Sequence, residues 1–360
     1  MKSAEQIATL RLHNQRLIGE SSFKKPAEVV QWLVAAQAQD YYGAKWGLGQ
    51  RMRDASDEVI EQAFASGQIL RTHVMRPTWH FVTPNDIRWL LKLTAPRVNV
   101  INGHAYRKFD LDASVFKKTN NALIRALRDG KHLTRKELRD VISRAKVDPG
   151  DSIRMGYILI RAELDGVICS GPRKGKQFTY ALLEERAPKA PGLSRDEALA
   201  ELTARYFKTR GPATIQDFVW WSGLTSNDTK RGLEIVGNEL TKETIGEKTY
   251  WSQPSKRAPT PDLKRAFFLS PYDEYFIAYK DRSVTFDTRY MQQEAIAKLV
   301  FDSVLVIGTR LVGGWKREFK NSSVVIQLKP FEPLKSSQKQ LIKIAAERYG
   351  EFLGLKVVLA

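Results

Sequence analysis

One helix opening occurs three times along this chain, and each time the residues behind it can form a second helix and a β-hairpin. "KPAEV" begins at Lys25, "TRKEL" at Thr134 and "TIQDF" at Thr214. Each places an acid three residues after its first residue and an apolar residue directly behind the acid. Thr134 with Glu137 forms a capping box, in which hydroxyl and carboxylate each satisfy a backbone N–H that a first helical turn leaves without a partner. Thr214 with Asp217 is a close variant. The first copy uses Pro26, preset for a first turn, and Glu28, favourable at the positive end of the helix dipole. Apolar residues follow at spacings of three and four: Val29, Val30, Leu33 and Val34; Leu138, Val141 and Ile142; Phe218, Val219 and Trp221, with Trp220 on an adjoining face. Short amphipathic helices of this kind must each bury one face in a small local core.

The residues behind the openings specify the unit. After the Thr134 helix come "DSIRMGYILIRAELDG", a further helix, and "VICSGPRKGKQFTYALL", two strands around a glycine-proline-basic turn. Helix, turn, helix, hairpin is the order of a winged helix. After the Thr214 helix come "TSNDTKRGLEIVGNEL" and a second wing, "TKETIGEKTYWS". In the first copy "SDEVIEQAFASGQ" supplies a helix and "ILRTHVMRPTWHFV" the hairpin, and Thr83, Pro84 and Asp86 open a long helix through Leu90, Leu91 and Leu93. The sequence thus predicts an α+β chain with about three tandem winged-helix units, at 1–110, 111–190 and 191–258. A set of unrelated helical hairpins is the weaker alternative, because capping boxes are common. The proline-rich "SQPSKRAPTPDLK", Ser252–Lys264, reads as a linker. From 259 to 360 the chain turns toward β: "SVLVIGT", "RLVGGWKREFK" and "SSVVIQLKPF" form a meander, "SSQKQLIKIAAERYGEFLG" a helix and "KVVLA" a last strand. That is a small C-terminal α+β domain with an antiparallel sheet.

Charge points to the partner. Lys and Arg number 58 against 40 Asp and Glu, a net +18, which favours a polyanion, most often nucleic acid or an anionic membrane surface, with dispersed solvated charge as the alternative; on winged helices the partner expected is double-stranded DNA. Basic residues sit where such units meet phosphate: Arg173, Lys174 and Lys176 beside Gly171 and Gly175 at a wing tip, and Lys230 and Arg231 early in a recognition helix. The first hairpin carries Arg71, His73, Arg76, Trp79 and His80, and an aromatic among bases can stack on or wedge between nucleobases. Trp79 fits a core plug equally well. His73 and His80 lie an odd number of residues apart and so fall on opposite faces of a regular strand, which argues against joint metal ligation. Cys169, the single cysteine, lies in the apolar run "GVICSG" and reads as a small buried hydrophobe. No metal or cofactor motif occurs, the N-terminus has no apolar core of a signal peptide, and no apolar run approaches the roughly 18 residues of a membrane span. A soluble, cytoplasmic protein without a cofactor is expected.

The stretch "AAQAQDYYGAKWGLG", from Ala35, sets two amides two residues apart at a helix end. In a continued helix Gln37 and Gln39 would point about 200° apart, whereas in an extended segment they face the same way. Asp40 and Gly43 make such an ending plausible. Amides are weak bases, so they suit only a leaving group that already departs readily. They orient a water and direct carbonyl dipoles at developing positive charge. An N7-alkylated purine, already cationic, is such a leaving group, and its sugar passes through an oxocarbenium-like state. Asp40 is a second candidate, since a carboxylate is the better base, though it also fits a turn. On the residues alone, a polar helix end is the simpler reading of the pair. Asp273, Glu274, Asp281 and Arg282 in "PYDEYFIAYKDR" read as ion pairs between domains.

The stretches "WLVAAQAQDYYGAKWGLGQR", "LRTHVMRPTWHFVTPNDIRWLL", "PATIQDFVWWSGL", "PYDEYFIAYKDR" and "VGGWKR", in order from about residue 5 to 330, resemble the AlkZ/YcaQ-type bacterial DNA glycosylases. The resemblance implies tandem winged helices in a C-shaped body with a basic DNA channel. It further implies a monofunctional glycosylase that releases N7-alkylpurines, including bulky adducts and interstrand crosslinks, without deep base flipping. The family motif is glutamine, an apolar residue, then glutamine in the AlkZ branch; Gln37, Ala38 and Gln39 match it, with Ala38 smaller than the usual middle residue. The alternative is a non-enzymatic winged-helix regulator. Regulators of that kind dimerise on repeated half-sites, whereas three different units in one chain suit a monomeric clamp.

Overall fold

Each of the three hairpins closes a small sheet built in the same way. The structure, a computed structural model, describes residues 3–19, 22–187, 189, 192–254, 264–286 and 302–360. It opens with α1 (Ala4–Asn14), α2 (Pro26–Leu33), β1 (Ala35–Gln37), α3 (Tyr41–Gly49), α4 (Asp57–Ser66), β2 (Leu70–His73) and β3 (Trp79–Val82). The short β1 pairs antiparallel with the second hairpin strand, giving the order β1-β3-β2. The long α5 (Pro84–Lys108) then leads to α6 (Ala113–Leu127), β4 (Leu133–Thr134), α7 (Arg135–Arg144), α8 (Ser152–Leu164), β5 (Ile168–Ser170) and β6 (Thr179–Leu182), with sheet order β4-β6-β5. After the short α9 (Leu183–Arg186) come α10 (Arg195–Arg210), α11 (Ile215–Ser222), α12 (Ser226–Val236) and the hairpin β7 (Thr241–Ile245) and β8 (Lys248–Ser252). Here a single bridge, Ala213 to Trp251 on β8, takes the place of the short strand.

The repeat corrects the alignment of the three openings. Thr134 and Thr214 head the helix that follows the short strand, with the capping boxes expected. The Lys25 opening heads α2, the helix that precedes it; Glu28 accepts the Lys25 backbone N–H at 3.0 Å. The counterpart of Thr134 in the first segment is Asp40, the N-cap residue of α3. The counterpart of α2 is α10, opened by its own Ser194–Glu197 box. A capping signal marks a helix start but carries no label for which helix of the unit begins there.

The second segment has its own core around Leu123, Leu138, Ile142, Met155 and Ile158. The third shares one with the first, where Tyr206, Phe218 and Trp221 meet Leu70, Val74, Val82 and Leu90. Past the third segment lie β9 (Ala266–Leu269), α13 (Glu274–Ile277), β10 (Val304–Ile307), β11 (Arg310–Phe319), β12 (Ser323–Pro330), α14 (Ser336–Leu353) and β13 (Lys356–Leu359). Their sheet runs β13-β12-β11-β10-β9 and contains the expected meander. The last strand corrects the expectation of an antiparallel sheet: β13 lies parallel to β12, because α14 carries the chain back before β13 begins. Tyr349 and Phe352 of α14 pack on Trp46 of α3, which joins this sheet to the first segment. Residues 255–263 of the expected linker lie outside the described residues. Among the described residues no helix is long and apolar enough to cross a membrane.

Candidate active site

The glutamine stretch is extended, and the cause is local. Helix α2 ends at Leu33, and Val34, at φ +67°, turns the chain out of the helix and into β1. The Ala38 N–H donates to the Trp79 carbonyl at 2.7 Å, so pairing with β3 continues one residue past the strand. Ala38 is fully buried, Gln37 nearly so, and Gln39 is exposed.

Both amides are held by the loop joining β2 to β3. The Arg76 guanidinium donates to Gln37 Oε1 at 2.6 Å. The Thr78 hydroxyl donates to Gln39 Oε1 at 2.9 Å. The loop is tight, with Met75 at φ +64° and backbone bonds from Arg76 N–H to Val74 and from Thr78 N–H to Arg76. Two loop residues, two apart, thus reach two glutamines, two apart. The sequence reading missed Thr78; the matching spacing was the available signal. Burial lowers the Arg76 pKa, and the nearby Arg210 lowers it further.

Asp40 caps α3 by position only, since its carboxylate takes no hydrogen bond from that helix. Its Oδ2 lies 3.6 Å from the Arg317 guanidinium of β11. A Cβ on Gly43 would come within 2.4 Å of that oxygen, so the glycine makes room for the carboxylate.

Arg71, His73 and His80 are buried, a correction to their reading as groove probes. Arg71 is buried: its Nε donates to the Ala38 carbonyl at 3.0 Å, and its guanidinium lies over the rings of Trp79 and Phe178. Burial brings its pKa down to about 10. His73 is buried against the Glu163 carboxylate of α8. His80 is fully buried, bonded through Nδ1 to the Thr78 carbonyl, and burial with the Arg76 charge holds its pKa well below 6.5. Trp79 is half-buried beside His73, ring centres 4.4 Å apart. The second segment covers this sheet, through contacts such as the Arg71 N–H to Ser170, and alternation along the chain does not reveal that cover.

At the turn between β5 and β6, Arg173 binds the Tyr42 hydroxyl at 3.0 Å and Glu61 at 3.4 Å, so it ties the second segment to the first. Lys174 is exposed and near Glu137, while Lys176 stands in solvent. Lys230 is exposed on α12; Arg231 beside it is exposed but paired with Asp196 at 2.6 Å. From the C-terminal segment, Asp273 grips Arg51 through both oxygens, Glu274 reaches Arg210, and Asp281 meets Lys248, so these carboxylates tie that segment to the first and third. Arg282 instead donates to the Phe276 carbonyl of its own segment. Cys169 is buried, which pushes its thiol up to about 12. Among the described residues no group of three or more His, Cys, Asp or Glu is placed to hold a metal ion.

The model of the family described as DNA glycosylase AlkZ-like matches residues 30–352. The chain is 25% identical over 338 residues to the interstrand DNA cross-link repair glycosylase of Streptomyces sahachiroi, an alignment covering 89% of this chain and 90% of the relative. Its fold also matches the solved structure of Streptomyces sahachiroi DNA glycosylase AlkZ, with a TM-score of 0.79 and 21% identity over all of both chains. With a family match over most of its length, this chain belongs to the AlkZ-like DNA glycosylases, hydrolases of the N-glycosyl bond between a base and its sugar.

Proposed function

We propose that this glycosylase releases N7-alkylated purines and that Gln37 and Gln39 are its catalytic pair. The observation that carries the reading is the grip of Arg76 and Thr78 on the two amide oxygens. A carbonyl oxygen has two lone pairs, so each amide keeps an acceptor for the O–H of a water while its orientation is set by the loop. Two fixed acceptors orient the nucleophilic water and direct negative dipole ends toward the sugar as it becomes cationic. No strong base is present in the pair, which suits a purine whose alkylation already makes it a cationic leaving group. Asp40, set against Arg317 and Gly43, serves the packing at the start of α3.

The three repeated segments are read as winged helices, and the non-identical units as a monomeric clamp on duplex DNA. Lys174, Lys176, Lys230 and Arg231 are the exposed cations for phosphate, and Arg76 lies nearest the lesion. The name of the Streptomyces relative supports a substrate range that extends to interstrand cross-links. Family membership sets aside the regulator alternative.

The test is excision from a duplex oligonucleotide with one 7-methylguanine, comparing the wild type with the double variant Gln37→Ala, Gln39→Ala after both are shown to bind DNA. Release by the wild type and a loss on the order of 10²-fold or more in the variant is expected. Equal release by both moves the chemistry elsewhere, to Asp40 first. A cross-linked duplex tests the wider range, and native mass tests the monomer.

A further inference from the structure

The motif strand has a free edge, and two buried charges occupy it. In an antiparallel pair alternate residues bond to the partner strand and the residues between them point away. Ala38 bonds to β3, so the Gln37 N–H and the Ala35 carbonyl point away from it. Glu274 Oε1 accepts the Gln37 N–H at 2.9 Å. Arg210 donates to the Ala35 carbonyl at 3.0 Å and to the Leu33 carbonyl at 2.9 Å. The two side chains are joined: Glu274 Oε2 accepts from Arg210 at 2.6 and 3.0 Å and from the Trp221 indole at 3.0 Å. The pair is sealed from water, with side-chain exposures of 0% for Arg210 and 3% for Glu274.

We propose that Glu274 and Arg210 are positioning residues for the glutamine pair, acting together as a substitute strand along the open edge of β1. The proposal rests on the reading of Gln37 and Gln39 as the catalytic pair. A buried ion pair is seldom more stable than apolar residues of the same volume. Apolar residues here, however, would leave the Gln37 N–H and the Ala35 carbonyl buried without partners. The pair thus holds the backbone of the motif in register while Arg76 and Thr78 hold its side chains. Glu274 comes from the C-terminal segment and Arg210 from the third, so the motif is rigid only when all of these meet.

The test separates rate from binding. Single-turnover excision and DNA affinity are measured for Glu274→Ala, Glu274→Gln and the double variant Gln37→Ala, Gln39→Ala. Glu274→Ala is expected to lower the excision rate constant about tenfold or more with DNA affinity within about twofold, since small misplacement of a reacting group has a large effect on rate. Glu274→Gln keeps an acceptor for the Gln37 N–H and is expected to stay within about threefold of the wild type. Amide exchange at Gln37 should be fast in the alanine variant and protected in the glutamine variant. If Glu274→Ala does not fold, Glu274→Asp carries the test: it keeps the charge opposite Arg210 but draws the oxygen back from Gln37. A wild-type rate constant in a folded Glu274→Ala or Glu274→Asp, or a loss equally large in affinity, overturns the proposal. Wild-type excision by the double glutamine variant instead overturns the site on which it rests.

Discussion

Gln37 and Gln39 have no proton to lose in the working range, so the chemistry proposed for them should be insensitive to pH. The single-turnover rate on 7-methylguanine is expected to be flat from about pH 6 to 8; a rate that changes tenfold per unit through that range would show that a titrating group, and not the amides alone, takes part in the step. His80 makes the opposite prediction, for stability. Buried beside Arg76, it stays neutral in the folded protein, while in the unfolded chain it takes a proton below about pH 6.5. The unfolded state then binds more protons, so stability falls as pH drops through 6.5, by at most about 1.4 kcal/mol per unit from this group. Urea unfolding at pH 7 and pH 5 should show a smaller loss for His80→Asn than for the wild type. At this scale the extended backbone under Gln37 and Gln39 was legible, because Asp40 and Gly43 suit a helix ending there and residues two apart on an extended segment face the same way. The burial of Arg71, His73 and His80 was not, since a half-polar strand reads the same whether it faces water or another unit.

Helix openings of the same kind differ in what they hold. Thr134 and Glu137 satisfy each other at a part-buried helix start, so Thr134→Ala should reduce stability by about 1 kcal/mol. Asp217 has the same place in its box but is fully buried. It also accepts the backbone N–H groups of Lys280 and Asp281, and lies 3.6 Å from the Arg11 guanidinium. Asp217→Ala should therefore reduce stability by about 3 kcal/mol or more, because buried donors and a buried charge lose their partner. Urea midpoints of the two variants give the comparison. Both boxes were readable because capping acts within four residues. The second duty of Asp217 was not, because its partners lie more than 60 residues away.

Across the whole molecule the net +18 should appear as a steep fall in DNA affinity with salt. Lys176→Ala and Lys230→Ala, both at exposed positions, should each reduce the slope of log affinity against log salt by about 1. Arg231→Ala should reduce it less, because that side chain must first leave Asp196. Titrations of one duplex at several salt concentrations read all three. From the sequence alone came the helix starts, the hairpins, the basic surface and the glutamine pair, since capping, periodicity, turn chemistry and charge are properties of neighbouring residues. Only the tertiary structure decided which helix of the first unit the Lys25 opening begins, that β13 runs parallel, and that Arg210 and Glu274 line the motif strand. Those outcomes depend on contacts between residues far apart along the chain, 237 positions for Gln37 and Glu274, and no local pattern encodes a distance of that kind.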